Sequence, residues 1–167
     1  MIKLNPEKEV EVLIDVATKM CIAARTAPKA NGLDSIVTAI VYGDELEKLK
    51  AEMERAGKQR SPDYSLKSIG ILDVKVVVLI GTKLKERGNG FEDGESEEVK
   101  LKESSAIDLG IAIGSAVTTA KEFCVDNRVM GSIGRAAKSL KILGEDVIAI
   151  YGIPLNISGK SPFFDRK

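Results

Sequence analysis

The segment AARTAPKANGLD, residues 23 to 34, places two cationic side chains after a helical pattern and before a β-rich run. Arg25 and Lys29 flank Ala-Pro, and Asn31-Gly32 is a typical turn pair. Arg and Lys at such a turn can contact a phosphate or another anion, and Arg is favoured for bidentate hydrogen bonding. Surface cations are common, so composition alone favours a solvated turn over an anion site.

The chain has no histidine, which removes the commonest catalytic and metal-binding side chain. A His-based triad and a His-ligated metal site are therefore excluded. The two cysteines, Cys21 and Cys124, stand far apart beside apolar residues, and they form no CxxC motif. We predict two buried thiols with no disulfide framework and no Cys-rich zinc site. Any redox chemistry must then come from a bound cofactor, and a lack of catalysis is the alternative.

Lys+Arg and Asp+Glu both number 25, which gives a formal net charge of +0. A broad nucleic-acid or membrane-surface interface needs a basic excess, so we expect neither partner. Acidic residues occur at the N-terminus where a secretory signal would be apolar, and no run reaches about 18 uncharged apolar residues. These features predict a single domain over residues 1–167 and a cytoplasmic location.

Hydrophobic periodicity predicts two long helices over about 6–25 and 104–123, and two strands over 35–42 and 74–81. Asn5 before Pro6 is a good start for the first helix, since Asn can cap and Pro suits the first helical position. Between the strands we expect a helix that Asp44 caps and Gly57 ends.

The second half of the chain departs from regular strand–helix alternation. Residues 82–100 are charged and nearly free of aliphatic side chains, which predicts an exposed loop. A further helix, capped by Asp126 and ended by Gly144, should precede a last strand that breaks at Pro154. Two successive helices before the last strand favour the α+β class over a doubly wound sheet.

Small residues dominate the helix over 104–123, and Gly110 and Gly114 share one of its faces. Because Gly inside a helix costs about 0.5–1 kcal/mol relative to Ala, this pattern predicts close approach of another backbone, within the chain or across a dimer. Near the C-terminus, an exposed Phe163-Phe164 pair would be unfavourable, so we expect the tail to dock on another surface.

Asp108 interrupts the apolar face of the same helix. It could be a functional carboxylate with a shifted pKa, or it could form a structural pair with Arg25 or Arg128. Buried charges are usually paired, which favours the structural role. The segment GSIGRAAK contains a GxxG pattern, but it lies within a predicted helix and matches no phosphate-binding loop.

Four segments in order, AARTAPKANGLD, SSAIDLGIAIGSAVTTA, VDNRVMGSIGRAAKSL and IYGIPLNISGKSPFFDR, resemble an uncharacterised prokaryotic family often described as containing a ferredoxin domain. That family is in turn similar to the flavin-dependent nitroreductases, in which an AAxxAPSAxNxQPW segment joins the first helix to the first strand. The resemblance implies an α+β fold with a nitroreductase-like sheet flanked by helices. It also implies an intertwined homodimer with FMN at its interface.

The same resemblance implies a C-terminal arm over about 155–167 that packs on the partner subunit. The cofactor-binding residues that it implies are Arg25, Thr26, Lys29, Asn31, Lys160 and Arg166. No catalytic side chain can be named, and none is required where a flavin carries the electrons.

Three features depart from these families. The segment KERGNGFEDGESEEVKLKESS holds no cysteine where the ferredoxin-domain family usually has a cluster, so we expect no iron–sulfur cluster. Gly32 and Asp34 stand where the nitroreductase pattern has Asn and Gln, and an Asp beside a flavin ring disfavours the reduced anion. The usual paired-Arg phosphate motif ahead of the first helix is also missing, so the cations named above would have to replace it.

The leading hypothesis is therefore an FMN-dependent oxidoreductase with its flavin at a dimer interface. The alternative is a cofactor-free homodimer of the same fold that binds a small anion or another protein. The missing cysteines and the changed turn residues favour this alternative. A hydrolase is disfavoured, because the chain has neither histidine nor a nucleophile motif.

Overall fold

The computed structural model describes residues 5–85 and 97–164. Within these ranges the main elements, in chain order, are α1 (Pro6–Thr26), β1 (Ile36–Tyr42), α2 (Gly43–Lys58), β2 (Val76–Lys83), α3 (Glu97–Glu122), β3 (Asp126–Asn127), α4 (Gly131–Ser139) and β4 (Val147–Asn156). Short 3₁₀ turns occupy Ala30–Gly32 and Pro162–Phe164. The Asn5 side chain accepts a 2.9 Å hydrogen bond from the Lys8 amide, which confirms the predicted start of α1.

The four strands form one sheet in the order β1-β2-β4-β3, and every neighbouring pair is antiparallel. The apolar run of β2 lies between β1 and β4, with Leu79 opposite Ala39 on one side and Gly152 on the other. A strand that is covered on both faces needs continuous apolar residues, and β2 is buried along almost its whole length.

Helices cover both faces of the sheet. Side chains of successive β2 residues point to opposite faces, so Val76, Val78 and Ile80 pack beneath α1 and α3. Val77 and Leu79 point to the other face, where they pack with α2 and α4. The result is an antiparallel sheet between two helical layers, which confirms the predicted α+β class.

Pro154 does not break the last strand. It lies within β4 opposite Val77. The pairing of β3 with β4 ends at Leu155, and the next bridge joins Met130 to Gly152. Pro154 therefore lies between two paired positions, where its missing N–H removes no ladder hydrogen bond.

Two predicted boundaries of the helix between the first two strands are wrong. Tyr42, rather than Asp44, is the N-cap residue of α2, and Asp44 lies in the first turn. Gly57 lies inside α2 and does not end it, because the helix continues to Lys58. A Cβ atom at Gly57 would lie 2.1 Å from Cδ1 of Tyr64, so the glycine makes room for that ring.

Asp126 does not cap the helix after α3. It pairs with Asn156 in the short strand β3, which requires an extended backbone, and α4 begins only at Gly131. The helix α3 begins at Glu97 rather than near Ser104. The predicted loop over 82–100 therefore contributes its ends to β2 and α3, and residues 86–96 lie outside the described residues.

The C-terminal segment packs on its own chain as far as it is described. Phe163 is 1% exposed and belongs to the core beneath α2 and α4. The Arg128 guanidinium donates a 2.8 Å hydrogen bond to the Phe163 carbonyl. Residues 165–167 lie outside the described residues. Burial of Phe163 therefore needs no partner subunit.

Candidate functional site

The junction between α1 and β1 holds Arg25 and Lys29 through contacts within the chain. The Arg25 Nη2 atom lies 2.6 Å from Asp34 Oδ2, and both side chains are more than half exposed. The Lys29 ammonium donates to the carbonyls of Arg25 and Ala27, at 2.5 and 2.8 Å. Lys29 therefore satisfies carbonyl groups at the C-terminal end of α1, where a cation also suits the helix dipole.

The remaining residues of the turn adopt a conformation that favours Asn and Gly. Asn31 and Gly32 have φ values of 57° and 62°. The Thr26 hydroxyl donates a 2.9 Å hydrogen bond to the Ile22 carbonyl in the preceding turn of α1. Arg25, Thr26 and Asn31 are exposed and Lys29 is partly buried.

Asp108 connects this turn to α3. Its side chain is nearly fully buried, and its Oδ1 atom accepts a 3.2 Å hydrogen bond from the Ala30 amide. Arg25, one of its predicted partners, pairs with Asp34 instead. A carboxylate that accepts from a backbone amide fixes the turn, so this contact gives Asp108 a structural role in positioning the site.

A basic cavity of about 310 Å³ opens at this junction. Arg25 and Asp34 lie on one side, and Lys83 and Lys85 from the end of β2 lie on another. The start of β1 supplies apolar and hydroxyl groups through residues 36–38. Three cations and one carboxylate line this cavity, which we call the α1–β1 cavity. Because Lys83 also pairs with Asp146, the excess charge is +1 once Asp34 and Asp146 are both counted.

Sequence reasoning missed Lys83 and Lys85. Their signal was present in the TKLK segment, which follows the central apolar strand. The antiparallel pairing of β1 with β2 brings the end of β2 beside the start of β1, with Ile36 opposite Thr82. Lys83 also lies 2.7 Å from Asp146 Oδ2, and this contact lowers the pKa of the Asp146 carboxyl.

Lys160 lies at a different place. It lines a cavity of about 430 Å³ together with Glu9, Asp73 and Lys75, and none of the lining residues belongs to the α1–β1 cavity. The Ser158 hydroxyl donates a 2.6 Å hydrogen bond to the Lys160 carbonyl, which shapes the turn after β4. Arg166, the other predicted tail cation, lies outside the described residues. One chain therefore does not bring Lys160 into the cavity that holds Arg25.

The two cysteines differ in exposure. Cys21 is half-buried on α1, and burial raises the pKa of its thiol. Cys124 is exposed just after α3, so the prediction of two buried thiols is wrong for this residue. Its φ of 57° reverses the chain between α3 and β3. Within the described residues, no group of three or more His, Cys, Asp or Glu side chains could hold a metal ion.

One face of α3 is left uncovered by residues 5–85 and 97–164 of its own chain. Ile107 is 63% exposed and Ile111 is 36% exposed. Gly110 and Gly114 lie on the same face, and a Cβ atom at either position would meet nothing within 4 Å. Packing among the described residues therefore does not require these glycines.

Comparison with known families places the chain in a described group. The family model described as "Uncharacterized protein containing a ferredoxin domain (DUF2148)" matches residues 103–166. An uncharacterised protein of Archaeoglobus fulgidus is 36% identical over 163 residues, with 88% of each chain covered. The chain belongs to this ferredoxin-domain family. This confirms the resemblance seen in the sequence.

Solved structures confirm the nitroreductase-like fold of this family member. A nitroreductase family protein from Clostridium novyi NT superposes with a TM-score of 0.62 at 16% identity, covering 94% of this chain and 77% of that protein. Iodotyrosine deiodinase, bound to FMN and 3-iodo-L-tyrosine, gives a TM-score of 0.65 at 12% identity, covering 92% and 84%. In the part of this family member that the structure describes, no helix is long and apolar enough to cross a membrane.

Proposed function

We propose that this chain is a flavin-binding oxidoreductase that holds FMN between two copies of one nitroreductase-like domain. The observation that carries the proposal is the α1–β1 cavity, with its excess positive charge. A structural neighbour of the same fold binds FMN, which makes FMN the first ligand to consider for this cavity.

The residues of the α1–β1 cavity fit the polar parts of a flavin. Arg25 remains 56% exposed despite its contact with Asp34, so its guanidinium has donors available to a phosphate or to a ring edge. The ion pair also places a cation directly beside Asp34, which offsets the repulsion expected between that carboxylate and a reduced flavin. Ile36 and Val37 supply apolar surface next to these charges.

FMN would supply the two-electron chemistry, and the side chains would bind and orient it. Arg25 would contact its phosphate or the pyrimidine edge, where a cation favours the reduced form. Thr26 and Asn31, which are both exposed, would add a hydroxyl and an amide. Lys29 would act indirectly, since its ammonium already holds the end of α1.

A homodimer would complete the site. Lys160 and Arg166 would reach the flavin from the second copy, because one chain does not place Lys160 in the α1–β1 cavity. The uncovered face of α3, with Gly110 and Gly114, would then pack against the second copy. Its exposed isoleucines support this packing, because burial of apolar surface favours association.

A cofactor-free homodimer that binds a small anion is the second candidate. The contacts of Arg25 with Asp34 and of Lys29 with two backbone carbonyls favour it, since they use both cations within the chain. Such a protein would keep the fold and the basic cavity without retaining a flavin.

An absorbance scan from about 300 to about 550 nm, after incubation with FMN and desalting, tests the flavin proposal. Oxidised flavin should remain with the protein, and Arg25→Gln should lower FMN affinity by about tenfold or more through the loss of a charge-assisted hydrogen bond. Lys58→Gln is the matched control. Lys58 is also 56% exposed and ion-paired, but it lies on α2, across the sheet.

A flat spectrum for the unmodified protein would refute the flavin proposal and favour the cofactor-free homodimer. If Arg25→Gln and Lys58→Gln reduce FMN retention equally, the assignment of Arg25 is refuted, because the loss would then reflect net charge. Circular dichroism of each variant would establish that the fold is intact.

A further inference from the structure

A second basic cavity, of about 400 Å³, lies between α2 and α4. It shares no lining residue with the α1–β1 cavity. We call it the α2–α4 cavity. The side chains on its lining that can donate hydrogen bonds to an anion include Arg55, Arg60, Arg135, Ser61, Ser132 and Ser139.

Glu52 is the carboxylate on this lining, and Arg55 neutralises it. The Nε and Nη2 atoms of Arg55 donate to the two Glu52 carboxylate oxygens at 2.7 and 2.8 Å. This bidentate contact, aided by Ser139, lowers the pKa of Glu52 to about 2. Glu52 is therefore ionised near neutral pH, and the Arg55–Glu52 pair carries no net charge. Arg60 and Arg135 leave the cavity with an excess charge of +2.

Tyr64 forms a fixed aromatic wall beside these cations. Its ring packs directly on the backbone of α2, where a Cβ atom at Gly57 would lie 2.1 Å from Cδ1. Burial raises the pKa of the Tyr64 phenol, and the positive charge of Arg135 opposes that shift, so Arg135 is close enough to the phenol to act on it. Met53 and Ala56 extend the apolar part of the wall.

We propose that the α2–α4 cavity binds a small phosphorylated ligand. Arg60 and Arg135 contact the phosphate oxygens, the serine hydroxyls add hydrogen bonds, and the Tyr64 ring packs on the organic part of the ligand. A phosphate dianion matches the excess charge of +2, and the planar guanidinium group suits its oxygens. This site does not depend on flavin binding, because none of its lining residues belongs to the α1–β1 cavity.

Isothermal titration at low salt, with inorganic phosphate and with phenyl phosphate as probes, tests the proposal. Both probes should bind saturably at one site, and phenyl phosphate should bind more tightly because its ring can pack on Tyr64. The double variant Arg60→Gln with Arg135→Gln should weaken phenyl phosphate binding by about tenfold or more, equivalent to about 1.4 kcal/mol. Lys48→Gln with Lys58→Gln removes the same charge from α2 outside the cavity and should leave binding unchanged.

Three results would overturn the proposal. The first is no saturable binding of either probe at concentrations up to about 10 mM, because a formed site should bind with a lower dissociation constant than that. The second is an equal loss of binding in both double variants, which would indicate nonspecific attraction to net charge. The third is loss of FMN retention on changing Arg60 and Arg135, since the two basic cavities would then not act as independent sites.

Because both arginines are exposed, Arg60→Gln alone is a second variant suited to the test if the double variant is unstable.

Discussion

Replacing Gly110 and Gly114 by alanine distinguishes a chain that acts alone from one that packs α3 against a second copy. Both glycines lie inside α3 and are exposed, and an added Cβ atom meets no described residue of the chain within 4 Å. Alanine in a helix is more favourable than glycine by about 0.5–1 kcal/mol per position. In a single chain, the two changes together should therefore stabilise the fold by about 1–2 kcal/mol.

If α3 packs against a second copy through this face, the two alanine changes should destabilise the dimer instead of stabilising it. The added methyl groups would separate two closely packed helices, and overpacking typically costs about 1–3 kcal/mol. We therefore expect the alanine variant to form a weaker dimer, with the dissociation constant raised about tenfold for each 1.4 kcal/mol lost. The isolated chain should still unfold at a higher temperature, by about 2–8 °C.

Sedimentation equilibrium and thermal unfolding over a range of protein concentrations measure these two effects separately. Association makes the unfolding temperature depend on concentration, and that dependence should shrink in the variant. Ala51→Gly is a control, because Ala51 is exposed on α2, across the sheet from α3, so it should change stability without changing association. A variant that is more stable and keeps an unchanged association constant would refute packing through Gly110 and Gly114.

Two further predictions concern the layer formed by α2 and α4. Gly134→Ala should destabilise the protein by about 1–3 kcal/mol in chemical unfolding, because its Cβ atom would lie 1.8 Å from the Ile150 carbonyl oxygen. Gly131→Ala in the same helix meets its nearest atom at 3.5 Å, and a similar loss there would contradict this reasoning. Because folding lowers the pKa of Glu52 from 4.5 to about 2, its stabilising contribution is present above about pH 4.5 and is lost as the pH falls to about 2. Glu52→Gln should therefore make the free energy of unfolding depend less on pH over that interval. Glu122→Gln is an exposed control and should leave this pH dependence unchanged. Identical pH profiles for the wild type and Glu52→Gln would contradict the assignment.

Local pattern sufficed to predict the long elements. Neighbouring residues form the apolar stripe and Asn5 cap of α1 and the unbroken apolar run of β2. These local patterns favour a helix for the first segment and a strand for the second. The absence of histidine likewise excluded His-based catalysis without any structure. The small residues of α3 indicated close approach of a backbone, but the sequence left open whether that backbone belonged to the same chain.

Pairings between distant segments decided the features that the sequence did not predict. Asp126 looked like a helix cap, yet pairing with Asn156 holds it in β3. Gly57 looked like a helix end, yet it makes room for the Tyr64 ring. In each case a tertiary contact stabilises a conformation that the local residue type does not favour most strongly.

The candidate site shows the same division. By itself the sequence determined that cations flank a turn after the first helix, because residue type and turn chemistry are local properties. Only the tertiary structure decided which cations share a cavity, since antiparallel pairing of β1 with β2 brings Lys83 and Lys85 beside Arg25. It also placed Lys160 elsewhere and assembled three arginines between α2 and α4. The physical reason is that a binding site depends on distances between side chains, and the folded sheet and its two helical layers set those distances.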